Sequence, residues 1–131
     1  EMDGTGAAGG VPVGMKAFFD AKIIEGTSYI LNVLNAEKHI QWADIVITAE
    51  GELDSQSFKG KVPVMLAEKS KQAGKKVICI AGKVPHRIQT PDDLFDAVFS
   101  IQNQPMSKEE SIASSLLNIK NIAYEIGKLF A

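Results

Sequence analysis

Two short apolar runs, "ADIVITAE" at 43–50 and "KKVICIAG" at 75–82, dominate the hydrophobic pattern of the chain. Both are nearly continuously apolar and rich in β-branched residues, which is typical of strands covered on both faces. The segment between them, "VPVMLAEKSKQAG", has a helical pattern, with Pro63 near its start and Gly74 as a C-terminal cap. A strand, a helix and a strand in so few residues predict a parallel βαβ unit.

Two helical segments precede this unit. The segment "VPVGMKAFFDAK" is predicted to be helical, with Pro12 in its first turn and with Val11, Met15, Phe18 and Phe19 on one face. The next helix is predicted to begin with Thr27 as its N-cap, and Trp42 before the first strand is expected to pack in the core. The buried stripe of this second helix is predicted to consist of Ile30, Val33 and Leu34.

A third strand and a long helix follow. The run "DAVFSI" at 96–101 is the strand, and Ser107 with Glu110 has the spacing of a capping box. One continuous amphipathic helix is predicted beyond it, with a stripe that serves as core or as a domain interface. The stripe consists of Ile112, Leu116, Ile119, Ala123, Ile126 and Phe130. The predicted class is α/β: residues 43–131 form a βαβ-type, three-layer parallel-sheet unit of the flavodoxin or Rossmann kind, and residues 1–42 form a glycine-rich loop and helical segment before it.

Composition excludes several classes of protein. The chain has 131 residues, of which 45% are hydrophobic and 23% charged, as in ordinary globular domains. A net charge of −2 does not favour nucleic acid as a partner, and no apolar run approaches the roughly 20 residues that span a membrane. The single cysteine, Cys79, is expected to be a buried, inert thiol, in keeping with a cytoplasmic location.

The carboxyl ends of the three strands are the predicted ligand-binding edge, because open parallel sheets bind ligands there. Three loops meet at this edge, at 50–61, 82–91 and 102–106. The first, "EGELDSQSFKGK", carries alternating acids at Glu50, Glu52 and Asp54. Carboxylates of this kind suit Mg²⁺, which takes one or two of them together with phosphate oxygens and water.

The same loop also offers features that bind anions. Gly60 lets the backbone approach a ligand closely, and Lys61 directly precedes a predicted helix N-terminus, which favours negative charge. The glycine-rich opening "GTGAAGG" before another helix is a second candidate for an anion-binding turn. The alternatives remain open at this point: acids and lysines that pair on a solvated surface, and glycines that form an ordinary tight turn.

The stretch from 43 to 82, "ADIVITAEGELDSQSFKGKVPVMLAEKSKQAGKKVICIAG", resembles the glycerate kinase family. The family pattern runs roughly D-hydrophobic-V-I-T-G-E-G-R-hydrophobic-D-x-Q-[ST]-x-x-G-K-x-P. The glycine-rich opening and the segment from 96 to 110 are also similar to the family, so the resemblance covers nearly the whole chain. The positions that match the pattern are Asp44, Val46, Ile47, Thr48, Glu50, Gly51, Asp54, Gln56, Ser57, Gly60, Lys61 and Pro63.

The resemblance implies phosphorylation of D-glycerate by ATP with Mg²⁺. It implies that Glu50 and Asp54 hold the metal or orient the glycerate hydroxyl, that Asp54 is the better candidate for the catalytic base, and that Lys61 neutralises phosphate charge. The residues implied in binding glycerate or phosphate are Gly6, Gly9, Gly10, Gln56, Ser57 and Gly60.

The chain departs from the family pattern at two positions. Ala49 replaces a usual glycine, and Glu52 stands where arginine is common, which would reverse the local charge unless the side chain faces solvent.

The resemblance also implies that the chain is the C-terminal portion of a longer two-domain kinase, with residues 1–42 near the cleft between the two domains. The N-terminal portion of the same enzyme would then be a partner, and uncovered sheet edges would favour homo-oligomers. The portion on its own would be inactive if half of its cleft is absent. A hypothesis from a different class is a non-catalytic, flavodoxin-like ligand-binding or oligomerisation domain.

Overall fold

The computed structural model describes residue 4 and residues 6–53, 61–84 and 94–130. The chain divides into two compact units, Glu1–Ala36 and Glu37–Ala131. The sequence predicted a boundary between residues 42 and 43. The roles predicted for the two parts stay predictions. The helices are α1 (Val11–Phe19), α2 (Gly26–Val33), α3 (Ala36–Trp42), α4 (Val62–Gln72), α5 (Lys108–Ala113) and α6 (Ser115–Lys128), and the strands are β1 (Ile45–Glu52), β2 (Lys76–Lys83) and β3 (Ala97–Ser100).

In the first unit, α1 begins as predicted and α2 does not. Pro12 lies in the first turn of α1, where its missing N–H costs no hydrogen bond. The N-cap of α2 is Glu25 rather than Thr27, because the Glu25 carboxylate accepts hydrogen bonds from the backbone N–H groups of Thr27 and Ser28. Hydrogen bonds from Ser28 and Thr27 also hold the pKa of Glu25 below its ordinary value.

Two predictions of buried apolar residues were wrong. The predicted stripe of α2 (Ile30, Val33 and Leu34) is exposed, and Leu31 is the buried residue of this helix. Trp42, at the end of α3, is 85% exposed rather than packed in the core. Helical periodicity identifies an apolar face, but the tertiary structure decides which face is covered.

The predicted parallel βαβ unit is confirmed, as is the α/β class. The three strands form one sheet in the order β1-β2-β3, and α4 connects β1 to β2. Both strand pairs are parallel, with Ile47 opposite Ile78 and Ile80 opposite Phe99. The carboxyl ends of all three strands therefore lie along one edge of the sheet.

Helices cover the sheet on both faces, which makes three layers. On one face, Val77 of β2 packs with Val64 and Ala67 of α4. On the other face, Ile78 and Ile80 pack with Ile126 of α6. Residues that alternate along β2 thus point to opposite helical layers.

Both apolar runs were predicted to be strands covered on both faces, but only the central strand β2 is covered in this way. Residues 77–81 of β2 are all buried, whereas Ile47 of the neighbouring β1 is 51% exposed. In the part of the chain that the structure describes, β1 pairs with β2 alone and forms an edge of the sheet. The prediction for β1 was therefore wrong on one face.

The prediction that Cys79 is a buried thiol is confirmed. Its side chain is fully buried in β2. Burial, and secondarily the charge of Glu50, raises the pKa of Cys79 to about 11. The thiol is therefore protonated and unreactive near neutral pH.

The single C-terminal helix was predicted wrongly, although its start was right. Ser107 and Glu110 form the predicted capping box. The helix is interrupted at Ser114, whose hydroxyl donates a hydrogen bond to the carbonyl oxygen of Glu110 and accepts one from the Asn118 amide. A serine that bonds back to the preceding turn in this way competes with regular helix geometry.

The buried face of α5 and α6 also differs from the predicted stripe. Its buried members are Ser111, Asn118 and Ile126, and Ile122 packs beside Ile126. Of the predicted stripe, Ile126 is buried, whereas Ile112, Leu116, Ile119 and Phe130 are exposed. The alternative role of this stripe as a domain interface stays a prediction. No helix in the described ranges is long and apolar enough to cross a membrane.

Asp96 joins the start of β3 to the start of β2. Its carboxylate accepts a hydrogen bond of 2.8 Å from the N–H of Val77, and its own N–H donates one of 2.8 Å to the Val77 carbonyl. The ammonium groups of Lys71 and Lys76 lie 3.1 and 3.0 Å from its carboxylate oxygens. The hydrogen bond from Val77, followed by those from Lys76 and Lys71, lowers the pKa of Asp96 from 3.8 to about 2.

We expect Asp96→Ala to destabilise the fold by roughly 1–3 kcal/mol, because the N–H of the buried Val77 loses its acceptor. Asp96→Asn, the matched control, keeps an oxygen acceptor and should cost less. The lowered pKa means that the charged carboxylate stabilises the fold above about pH 4, and that this stability is lost as the pH falls towards about 2. Urea unfolding of the protein containing this chain should therefore show a smaller loss between those pH values for Asp96→Asn than for wild type. Equal losses would contradict this role.

Gly82 lies against the backbone of the neighbouring strand. A Cβ atom added at Gly82 would lie 2.4 Å from the carbonyl oxygen of Gly51, a distance that backbone movement alone can relieve. At Gly51 an added Cβ would meet no atom within 4 Å. The two glycines face each other at the carboxyl edge, yet only Gly82 is required by packing.

We predict that Gly82→Ala lowers the free energy of unfolding by about 1–3 kcal/mol, the usual cost of an overpacked position. Gly51→Ala is the matched control, and it should be neutral or stabilising by up to about 1 kcal/mol, because alanine restricts the unfolded chain. Thermal or urea unfolding of both variants measures the difference. A Gly82→Ala protein as stable as Gly51→Ala would refute the close approach.

Candidate functional site at the carboxyl edge of the sheet

A cavity of about 540 Å³ opens at the carboxyl edge of the sheet. This is the edge at which open parallel sheets bind their ligands. Its volume falls in the range of small-molecule sites. The residues that line it are Gly51, Glu52, Gly82, Lys83, Ile101, Gln102, Lys108, Ser111, Ile112 and Ser115.

The structure brings together residues from all three predicted loops. Gly51 and Glu52 end β1, Gly82 and Lys83 end β2, and Gln102 follows β3. Strand order and parallel pairing are sufficient to place these segments side by side, which is why the sequence could predict their meeting.

Sequence reasoning missed the wall that α5 and the start of α6 contribute. Lys108, Ser111 and Ser115 line the cavity from this side. Their spacing of three and four residues is that of one helical face, and this polar stripe was the available signal.

Glu52 is paired with Lys83 across the strands. The two residues stand opposite each other at the ends of β1 and β2, and the Lys83 ammonium lies 2.6 Å from a Glu52 carboxylate oxygen. Both side chains are more than half exposed, so the pair adds little to stability. Its effect is local: the Lys83 ammonium offsets part of the negative charge that Glu52 adds at this position, and the Glu52 side chain is half exposed.

The walls of the cavity combine apolar surface with positive charge. Among the described residues that line it, Ile101 and Ile112 are branched aliphatic, and Lys83 and Lys108 provide two ammonium groups beside the carboxylate of Glu52. Within the described residues, no carboxylate lies within ion-pair distance of Lys108. The balance of charge therefore favours an anionic ligand.

Glu50, a predicted metal ligand, lies beside the cavity rather than in its lining. Its carboxylate accepts a hydrogen bond of 3.1 Å from the N–H of Gly51, and its charge contributes to the raised pKa of Cys79. The departure at Ala49 falls on an exposed position opposite Ile80. Neither residue is buried, so both remain accessible.

Lys61 occupies the position that the sequence predicted, directly before a helix. It is the N-cap residue of α4, with an extended backbone, and its carbonyl oxygen accepts hydrogen bonds from the N–H groups of Val64 and Met65. Its side chain is half-buried and does not line the cavity. Its predicted contact with phosphate stays a prediction.

The glycine-rich turn belongs to the first unit. Gly9 and Gly10 have left-handed backbones, with φ of 67° and 90°, and Gly10 is the N-cap of α1. Gly6 has a right-handed backbone that any residue adopts. Conformation therefore explains two of the three glycines predicted to shape an anion-binding turn, and their ligand stays a prediction.

Four predicted site residues, Asp54, Gln56, Ser57 and Gly60, lie outside the described residues. The chain is anchored directly before them, since Leu53 is 1% exposed and its N–H donates a hydrogen bond to the Lys83 carbonyl. Among the residues that are described, no group of three or more histidine, cysteine or acidic side chains could hold a metal ion.

Comparison with known proteins agrees with the resemblance. The chain is 40% identical over 127 residues to the glycerate kinase of Halalkalibacterium halodurans and 37% identical over 128 residues to the glycerate 2-kinase of Escherichia coli K12. These matches cover 93% and 94% of the chain, but 33% and 34% of the relatives. The chain thus spans about a third of the length of the curated relatives it matches.

A solved structure gives the same result for the fold. The crystal structure assigned to glycerate kinase 2 of Salmonella typhimurium LT2 superposes with a TM-score of 0.72 at 34% identity, over 97% of this chain and 32% of that one. The sequence profile of the glycerate kinase family matches residues 1–131. The motif resemblance is therefore confirmed, and the chain belongs to the glycerate kinase family.

Proposed function

We propose that the protein containing this chain transfers the γ-phosphoryl group of ATP to a hydroxyl group of D-glycerate. The observation that carries the proposal is the match of the glycerate kinase family along residues 1–131, whose relatives are named for glycerate. The cavity at the carboxyl edge supports it, because its surplus of positive charge suits anionic substrates.

In this proposal Asp54 is the general base. Its carboxylate takes the proton of the glycerate hydroxyl while the hydroxyl oxygen attacks the γ-phosphorus, and the bond to the bridging oxygen of ADP breaks. Lys61 stabilises the charge on the phosphoryl oxygens. Gln56 and Ser57 bind substrate oxygens, Gly60 allows close backbone approach, and Gly6, Gly9 and Gly10 form an anion-binding turn.

Mg²⁺ belongs to the proposal as a partner of ATP. The ion needs one or two carboxylates beside phosphate oxygens and water, and the accessible carboxylate of Glu50 fits that requirement together with Asp54. When bound there, Mg²⁺ would neutralise charge on the phosphate oxygens. A larger cage of protein ligands is not required, so its absence from the described residues is compatible with this metal.

Replacing Asp54 with asparagine in the full-length protein tests the catalytic role. General-base catalysis usually contributes roughly 10²–10⁴-fold, so kcat should fall by at least about 100-fold. The measurement is D-glycerate-dependent release of ADP. Asp20→Asn is a matched control, because Asp20 is exposed and pairs only with Lys16 among the described residues, and kcat should be unchanged.

Turnover of Asp54→Asn within about threefold of wild type would exclude Asp54 as the base. A wild-type protein that releases no ADP in response to D-glycerate would refute the proposed function itself.

A non-catalytic binding or oligomerisation domain is the second candidate. The observation that favours it is exposed apolar surface, since Ile47 on β1 and Leu116, Leu117 and Tyr124 on α6 are at least half exposed. Thermal unfolding with Mg·ATP and with D-glycerate separates the two functions. A ligand at 100 times its Kd stabilises by about 2.7 kcal/mol, so a kinase should show a clear shift and a binding module for other partners should show none.

A further inference from the structure

The cavity at the carboxyl edge has features that the catalytic proposal does not use. Its volume of about 540 Å³ is far more than a three-carbon acid occupies, and it lies within the range for larger organic ligands. Aliphatic walls from Ile101 and Ile112 suit a ring system rather than a small polyol. The cavity thus has the size and lining for a nucleotide.

The two lysines of the cavity are held in different ways. The Lys83 ammonium lies 2.6 Å from a Glu52 carboxylate oxygen, and Lys83 is the last residue of the central strand. Lys108 opens α5 and has no carboxylate partner among the described residues. Lys108 therefore contributes the uncompensated charge, and Lys83 contributes a positioned donor.

The glycines at this edge keep the cavity open. Neither Gly51 nor Gly82 places a side chain in it, and β1 and β2 approach so closely that a Cβ at Gly82 would clash with the Gly51 carbonyl. A flat group can therefore lie directly against the strand ends. Gln102, Ser111 and Ser115 surround this floor with polar groups that can donate and accept hydrogen bonds.

We propose that this cavity is the nucleotide site, with Lys83 and Lys108 binding the phosphates of ATP and Ile101 and Ile112 packing against its base or sugar. The inference rests on the proposed function for the identity of the nucleotide. It adds two phosphate-binding lysines that lie outside the loop at 50–61, and it makes α5 one wall of the nucleotide site. Glycerate, on this assignment, binds elsewhere along the edge.

The test is calorimetric binding of ATP, adenosine and D-glycerate, each alone, to variants of the full-length protein. Lys108→Gln should weaken ATP binding about five- to tenfold, the usual effect of an ammonium on a partly exposed phosphate. Lys83→Gln should weaken it by roughly threefold or more, because Glu52 already offsets part of its charge. Both variants should bind adenosine and D-glycerate as wild type does.

Lys120→Gln is the matched control, because Lys120 is an exposed lysine of α6 outside the cavity, and it should leave all three affinities unchanged. For the aliphatic wall, Ile112→Ala should weaken adenosine and ATP by a similar factor of about three to ten. Leu116→Ala, an exposed residue of α6 that does not line the cavity, should affect neither.

Several results would overturn the assignment. These are a wild-type protein that binds no ATP, a Lys108→Gln protein that binds ATP within twofold of wild type, and lysine variants that lose D-glycerate instead of ATP. A loss of adenosine as large as that of ATP in the lysine variants would also refute the contact with phosphate.

Failure of this inference is distinguishable from failure of the proposed function. A protein that phosphorylates D-glycerate while both lysine variants keep full ATP affinity would refute the cavity assignment alone. A protein whose ATP binding depends on the lysines, yet which transfers no phosphoryl group to D-glycerate, would refute the proposed function alone.

Discussion

Burial of the central strand β2 on both faces is the constraint on which the rest of the structure depends. Because Val77 and Cys79 point to one side and Ile78 and Ile80 to the other, the strand needs a helical layer on each face. The α4 crossover provides one layer and α6 provides the other. Parallel pairing with β1 and β3 then brings three strand ends to one edge, and the cavity follows from that arrangement.

Backbone contacts between the three strands hold the edge of the sheet in place, and the charged side chains at this edge are exposed. The Asp96 carboxylate ties the beginnings of β2 and β3 together, and the approach of Gly82 to Gly51 sets the spacing at the opposite end of β2. Charged groups on such a frame are positioned without being buried, as the Glu52–Lys83 pair illustrates. Exposed ion pairs contribute little to stability, so this pair is better understood through the charge that it presents to a ligand.

Sequence patterns were reliable where local chemistry controls the outcome. Proline in the first turns of α1 and α4, the Ser107–Glu110 capping box and the βαβ order depend on neighbouring residues, and all were predicted correctly. The errors concern competition between groups: Glu25 caps α2 in place of Thr27, and Ser114 interrupts the last helix through its own hydrogen bonds. The motif likewise identified the family, but it could not reveal that Lys83 pairs with Glu52, because that contact joins positions 31 residues apart.

The sequence by itself determined the α/β class, the parallel order of the elements, the edge where ligands are expected and the family of the chain. Periodicity, capping signals and the motif between 43 and 82 are local properties, and they are readable without coordinates. Only the tertiary structure decided which helical faces are covered, that Trp42 is exposed, and that Lys108 reaches the strand ends from α5. Those outcomes depend on the packing of segments that are distant in sequence. A helical pattern can present more than one apolar or polar face, and contact with the sheet decides which face is buried.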